Sequence, residues 1–450
     1  MRARLRSAVV AAPPVTAAVR AASRHLRRAV VASLLASAAA AVPVAGAMQA
    51  AGPAPAAGAG AAAEAVAAVV ALIERGRLEE AESRLRALLA AADHPLARDL
   101  LGVVLVRSGR LVEAEEQFAR ALALDPGLLD ARQHLARLQL LGGRDGEALG
   151  QLRAAAALGP LERDLALKLA VLEMANGRPA AAETQLRSLA ERFGSVQALL
   201  HLARIRDEQD DPAGALDALS QARAIAPNSE EVLRRIARTA FDAGNPVAAI
   251  LALEPLARIH PEVAEYHYLT GVAWLQVGDS AVAVEALQRA RELGPPRALT
   301  SIGLGLALNG QKRFAEAEEA LEEALLLAPD NVEAEAALAE ALEGQARLDE
   351  AERYALRALD RAPGNPRASL ALGMVRMKQG RYAEARELLE TAAAGDPGSP
   401  KVHYQLSLAY ARLDDRARSE EHLERYRQAL DELAQRALEI EETARGGTGG

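Results

Sequence analysis

Along most of the chain, apolar residues recur at i, i+3, i+4 and i+7, the spacing that gathers them on one face of an α-helix. Each apolar stretch is short and is broken at regular places by Gly or Pro. The pattern predicts short helices, paired around a central Gly and separated by Pro. The prolines keep time: Pro126, Pro160, Pro227, Pro261, Pro295, Pro329, Pro363 and Pro397 follow at intervals of 34 residues, with one interval of 67. Gly194 stands at the missing beat, and one deletion explains the odd interval. A fixed period of this length marks a repeat architecture.

Alignment on that clock gives eleven units: 62–94, 95–128, 129–162, 163–195, 196–229, 230–263, 264–297, 298–331, 332–365, 366–399 and 400–433. One place in the unit holds Ala81, Ala114, Ala148, Ala182, Ala215, Ala249, Ala283, Ala317, Ala351 and Ala385. Twelve residues earlier stand small residues such as Gly102, Ala136, Gly271, Gly305 and Gly373. Four residues later come Leu85, Phe118, Leu152, Leu186, Leu219, Leu253, Leu287, Leu321 and Leu389. The small residues let two helix backbones approach. The mid-unit Gly residues at 76, 109, 143, 177, 244, 278 and 380 supply the positive φ that closes a first helix. The terminal Pro lacks an N–H and stops the second. No unit can bury its apolar stripe alone, so neighbours must stack.

Composition agrees. Hydrophobic residues are 50% of the chain but aromatics only 3%, so the apolar half is Ala, Leu and Val. Strand formers are scarce, which argues for an all-α protein and against sandwiches, barrels and doubly wound sheets. Cysteine is absent, which excludes disulfides, thiolate zinc sites, iron–sulfur clusters, a cysteine nucleophile and an N-terminal lipid-modified cysteine.

At this point the chain resembles the tetratricopeptide repeat family. In "GRLVEAEEQFARALALDP" at 109–126, Gly109, Leu111, Ala114, Phe118, Ala121 and Pro126 stand where the family motif expects Gly, an apolar residue, Ala, an aromatic, Ala and Pro. "GRYAEARELLETAAAGDP" at 380–397 matches nearly as well. The resemblance covers about 62–433. It departs from the family in the first helices, where the early aromatic is replaced by Ala65, Arg98, Arg132 or Ala166, and units 1, 4 and 11 are degenerate. It implies an α-solenoid, a right-handed superhelix of about eleven helix-turn-helix units. Residues 416–444 read as an extended helix, charged on one face, that caps and solvates the open end, with 434–450 forming its end and a Gly-rich tail.

Residues 1–47 are a separate object. They hold seven Arg and no acidic residue, then the uncharged run Ala29–Val42 and the triplet Ala45-Gly46-Ala47. This describes a secretory signal peptide, so the protein is expected to be exported. The alternatives are an uncleaved membrane anchor formed by 29–47, or a plain Ala/Arg leader. Residues 48–61 read as a flexible Ala/Gly/Pro linker. The whole chain carries 53 basic and 61 acidic residues; removing seven positives leaves a net charge of −15, which argues against nucleic acid as a partner.

No catalytic constellation is present. H-E-x-x-H, G-x-S-x-G and G-x-x-x-x-G-K are all missing. Gly303-Leu304-Gly305 is better read as helix packing than as a phosphate loop. Glu318, Glu319, Glu322 and Glu323 are expected on a solvated helix face, and no two His share i, i+4 spacing. No enzyme activity, cofactor, metal or small-molecule substrate is expected.

The resemblance implies that first helices line a concave groove. Carried onto this chain, the groove places hold His134, Arg137, Lys168, His201, Arg204, Arg234, Arg235 and Arg238, a basic strip. There follow Tyr268, Val272, Leu275, Ile302, Leu306, Leu370, Met374, Met377, Tyr404 and Leu408, an apolar strip interrupted by Glu340 and Glu343. The basic strip suits an acidic partner, because guanidinium forks onto carboxylate or phosphate. The competing reading is a set of solvated Arg with local carboxylate partners such as Asp207, Glu208, Glu231 and Asp242. The expected function is a protein-binding scaffold for peptides or folded partners in an envelope assembly or secretion complex. The alternatives are an anchored subunit of a secretion or polysaccharide-export machine, and an accessory arm of an enzyme.

Overall fold

A computed structural model of the chain describes residues 59–446. The expected signal segment 1–47, nearly all of the linker and the last four residues lie outside them. Among the described residues there are 22 helices and no strand. They are α1 (Ala59–Glu74), α2 (Leu78–Ala91), α3 (Pro95–Arg107), α4 (Leu111–Leu124), α5 (Leu129–Leu141), α6 (Asp145–Leu158), α7 (Arg163–Ala175), α8 (Pro179–Phe193), α9 (Val196–Glu208), α10 (Pro212–Ile225) and α11 (Glu230–Ala243). After these come α12 (Pro246–Ile259), α13 (Ala264–Val277), α14 (Ser280–Leu293), α15 (Ala298–Gly310), α16 (Phe314–Leu327), α17 (Val332–Gly344), α18 (Leu348–Arg361), α19 (Pro366–Lys378), α20 (Tyr382–Gly395), α21 (Pro400–Arg412) and α22 (Arg416–Gly446). Odd-numbered helices are the first of each pair and even-numbered ones the second. The chain divides into two compact units, one up to Ile205 and one from Arg206 on, with the division falling inside α9.

The local chemistry of the repeat explains each element. All seven mid-unit Gly residues have positive φ. At one such turn Gly109 donates its N–H to the Val106 carbonyl at 3.0 Å and Arg110 to Leu105 at 2.9 Å, so the freed carbonyls at the helix end are satisfied. In four pairs the same turn is made by Asp210, Lys312, Ala346 and Asp414, with φ between 58° and 61°. A side chain there costs roughly 1–2 kcal/mol of strain, which the flanking helices must offset. Second helices stop two residues short of the periodic Pro, as α4 does before Pro126. Asn331 and Asn365 cap α17 and α19 by accepting from the N–H of Ala334 at 3.0 Å and of Ala368 at 2.8 Å.

Packing follows the same code. Each of the ten periodic Ala residues is 0% exposed. The Leu or Phe one turn later is also fully buried, from Leu85 to Leu389. It seats on the small residue of its partner helix. A Cβ placed on Gly102 would stand 2.4 Å from the Phe118 ring; on Gly271, 2.5 Å from Leu287; on Gly305, 2.4 Å from Leu321. Within each unit a pair packs mainly on its neighbours, as a solenoid requires. The Gly303-Leu304-Gly305 segment lies inside α15 and is buried packing surface.

Two expectations need correction. Glu318 is not on a solvated face: its carboxylate takes two short bonds from the Arg347 guanidinium, at 2.6 and 2.7 Å, and one from Gln345 at 2.7 Å. The final helix is not a freely solvated cap either. Besides its own partner α21, it packs against α12 and α13, and it buries Ala429 and Ile440.

Candidate functional site

In the second unit the first helices form a ladder in which α13 touches α15, α15 touches α17, α17 touches α19 and α19 touches α21. Lys401 on α21 reaches Glu340 on α17 at 2.5 Å, past the intervening α19. A side chain can skip a helix in this way only if the face of the ladder curves inward. This face carries the apolar strip. Val272, Ile302, Leu370 and Met374 are buried in the packing between helices. Tyr268, Leu275, Leu306 and Met377 are half-buried, and Tyr404 and Leu408 are exposed, at 42% and 37%. Burial holds the Tyr268 hydroxyl above its ordinary pKa, with Glu265 adding to the effect.

The two acidic groove residues are neutralised from the same face. Glu340 faces Lys401 and, at 3.3 Å, Arg367, which also binds Glu333 at 2.7 Å. Burial alone would raise the Glu340 pKa, but the Lys401 and Arg367 charges outweigh it and hold the carboxyl below its usual value. Lys378 binds Glu343 at 2.6 Å. Arg367, Lys401 and Lys378 escaped the reading of the sequence. Its signal was available: Arg367 and Lys401 are 34 residues apart, and so hold the same place in successive units.

The basic strip is not a row of uncommitted charges. In the first unit, Arg137 on α5 is buried and its guanidinium binds Glu162 at 2.5 Å and Asp164 at 3.2 Å. Lys168 faces Asp145 at 3.8 Å, and His134 bonds the buried Asp99 through Nδ1 at 2.8 Å. His201 is half-buried and Arg204 exposed, and both interact with neighbouring groups. In the second unit, Arg234 lies 3.8 Å from Glu230, and Arg235 3.8 Å from Asp207. Arg238 is exposed. Burial raises the Asp207 pKa, against the pull of Arg235 and Arg238. Local carboxylates therefore occupy most of the cations singled out for an acidic partner.

Sequence models of the tetratricopeptide repeat match residues 66–128, 167–230, 208–272, 308–375 and 376–439. The chain belongs to the tetratricopeptide repeat family. A search of curated proteins found no match. Among solved structures, it is similar to the MamA protein at 28% identity over 37% of this chain and 90% of that one, with a TM-score of 0.34. A tetratricopeptide repeat protein from Parabacteroides merdae ATCC 43184 matches at 14% identity over 55% of this chain and 98% of that one, TM-score 0.43. Yeast Tom70 matches at 14% identity over 87% and 97%, TM-score 0.37. As a tetratricopeptide repeat protein the chain has the fold of a protein–protein interaction scaffold.

Two histidine clusters in this repeat protein respond oppositely to acid. Burial disfavours the charged form of His134, but Asp99, and Asp130 beside it, outweigh burial and raise its pKa. On α22, His422 stacks on Tyr410 and lies with its Nδ1 3.1 Å from Nδ1 of His403. His403 Nε2 lies 2.8 Å from the Pro397 carbonyl, which can only accept, so the ring donates there and its Nδ1 accepts from His422. Burial first, then His403 and Arg425, push the His422 pKa down, against Glu421 and Glu390. A raised folded pKa gives stability that is full below about pH 6.5 and is lost as pH rises through the folded value. A lowered one gives stability that is lost as pH falls below about 6.5. Hydrogen exchange at pH 5.5 and 7.5, corrected for intrinsic rates, is therefore expected to show α5 better protected in acid and the α21–α22 contact less protected. Parallel changes at both places would contradict these assignments.

Proposed function

We propose that the protein is an exported scaffold that holds apolar peptide segments of partner proteins on the first-helix face of its second unit, within an envelope assembly or secretion complex. The observation that carries this reading is that Tyr268, Leu275, Leu306, Met377, Tyr404 and Leu408 keep apolar surface open along one inward-curving face, while the charged residues there are spent on one another. Leaving aromatic and aliphatic groups uncovered on a ladder of rigid helices is worthwhile when another chain covers them. Export is supported by the charge-free run Ala29–Val42 directly after Arg27-Arg28 and by the small residues at 45–47.

A photo-crosslinking residue placed at Leu408 of the full chain is expected to capture a defined partner in its native host. The same residue at Leu326, an exposed position on the second helix α16, is expected to capture none of it. Tyr404→Glu should lower the Leu408 yield at least tenfold. Equal capture at both positions would refute the site. N-terminal sequencing of the mature protein should find a start near Met48 or Ala51; a full-length cytoplasmic product would refute export.

A further inference from the structure

The fourth residue of each unit opens a first helix, next to the connector that precedes it. In three units a long side chain there reaches back to the Pro carbonyl of that connector: Arg132 to Pro126 at 2.9 Å, His267 to Pro261 at 3.0 Å and His403 to Pro397 at 2.8 Å. In the unit 332–365 the fourth residue is Glu335, which is 0% exposed. A carboxylate buried so deeply has to be paired. Glu335 meets Arg357 at 2.7 Å and Arg361 at 2.8 Å, and Arg361 also binds Asp330 at 2.7 Å.

The unit 163–195 has Ala166 at this place. At the same intervals of chain, the counterparts of Arg357, Arg361 and Asp330 are Ser188, Arg192 and Leu161. The residue that this unit lacks is lost after α8, where only Gly194 and Ser195 lead to α9, so the register holds through Arg192. The unit thus keeps the cation of the later one and has Ala and Leu where its two carboxylates stand. Here a cavity of about 260 Å³ opens, with Pro160, Leu161, Ala166, Gln185, Ser188 and Arg192 among its lining residues. Leu161 and Ala166 are buried and Arg192 is exposed. The Arg192 guanidinium lies 4.8 Å from the centre of the Phe193 ring, and among the described residues no carboxylate meets it. The cavity therefore lies where Glu335 puts its carboxylate in the later unit.

We propose that this cavity binds a carboxylate supplied from outside the repeat, either an acidic side chain of a partner or a small free acid. Arg192 pairs with it as Arg361 pairs with Glu335, and Ser188 and Gln185 bring an O–H and an N–H donor to the same cavity. The apolar Leu161 and Ala166 keep water from one side of the ion pair, which strengthens it. The site belongs to the second helices and the connector of the first compact unit, and the proposal does not depend on the first-helix face.

Two measurements on the full chain test it. The first supplies the carboxylate by substitution. Ala166→Glu is expected to exceed its isostere Ala166→Gln about fivefold in hydrogen-exchange protection across α7 and α8, because only the carboxylate gives Arg192 a charged partner. In an Arg192→Met background the order should level or reverse. An equal advantage in both backgrounds, or none with Arg192 present, would overturn the proposal. The second leaves position 166 intact, so it stands even if those variants fold poorly. Nα-acetylglutamate amide, which carries one carboxylate, should shift the Arg192 Nε–Hε resonance saturably, the resonance being assigned by its loss in Arg192→Lys. The uncharged glutamine analogue should shift nothing. Ala166→Glu should weaken the binding roughly tenfold, because a tethered carboxylate then competes for the site. Saturation by acetate in the same concentration range would mark the occupant as a small free acid, and selectivity for the blocked glutamate would mark it as a partner's side chain. Saturation by neither acid would overturn the proposal.

Discussion

Gly102→Ala is expected to destabilise the wild-type repeat and to stabilise the repeat in which Phe118 is already Leu. The reversal follows from two opposed terms. Ala is favoured over Gly in a helix interior by about 1 kcal/mol, and Gly102 lies inside α3. Against this, its Cβ would stand 2.4 Å from one atom of the Phe118 ring and 2.7 and 2.8 Å from two others. The ring is rigid and 0% exposed, so the helices must part. Overpacking of that kind costs about 1–3 kcal/mol and outweighs the propensity gain. With Leu at 118 the pair becomes the Ala–Leu pair that the next repeat already uses at Ala136 and Leu152, both fully buried. A leucine placed as Leu287 and Leu321 are would still meet such a Cβ, at 2.5 and 2.4 Å. Its short branched chain can repack as Leu152 does beside Ala136, which relieves the clash and leaves the propensity term. Phe118→Ala, by contrast, should cost about 3–5 kcal/mol through the cavity it opens. Because a solenoid need not unfold in one step, the four variants are best compared by hydrogen exchange across α3 and α4 as well as by thermal melting. Gly102→Ala behaving alike in both backgrounds would show that ring and backbone do not compete for this space.

The repeat was legible because its signals are local and multiplied. Ala at one place, Leu or Phe four residues on, Gly in the turn and Pro at the end each act within a few residues of chain, and their recurrence exposes the period. Where a turn uses Asp210, Lys312, Ala346 or Asp414 instead of Gly, the local signal vanishes although the backbone does the same thing. The groove charges were harder for a different reason. A helix surface shows which cations share a face, but carboxylates that meet them come from adjoining repeats: Asp99 meets His134 across 35 residues, and Asp164 meets Arg137 across 27. Glu340 looked like an acidic break in an apolar strip because Arg367 and Lys401, which neutralise it, stand on the next two first helices. The return of α22 onto α12 and α13 depends on how the repeats curve, which no single repeat encodes.

Those ion pairs lead to an expectation about Arg137 that separates support from recognition. Its side chain is 1% exposed, whereas Glu162 and Asp164 are 43% and 50% exposed. Removing the cation lets two half-exposed carboxylates return to water, while removing the carboxylates leaves a guanidinium buried beside lost partners. Arg137→Met keeps the apolar stem and should change stability by no more than about 1 kcal/mol, since a buried ion pair replaced by a well-packed apolar group is often neutral or better. Glu162→Ala with Asp164→Ala should cost about 3–5 kcal/mol, although it deletes only surface carboxylates. The triple variant, lacking all three charges, should recover most of that loss, because the penalty belongs to the buried cation that loses two carboxylates and not to the missing bridges. Thermal melting with hydrogen exchange across α5 and α7 measures all three. Were Arg137 instead a recognition residue, Arg137→Met would weaken partner capture while the carboxylate variants left stability alone; the buried geometry leads to the opposite order, with capture at Leu408 unchanged in Arg137→Met.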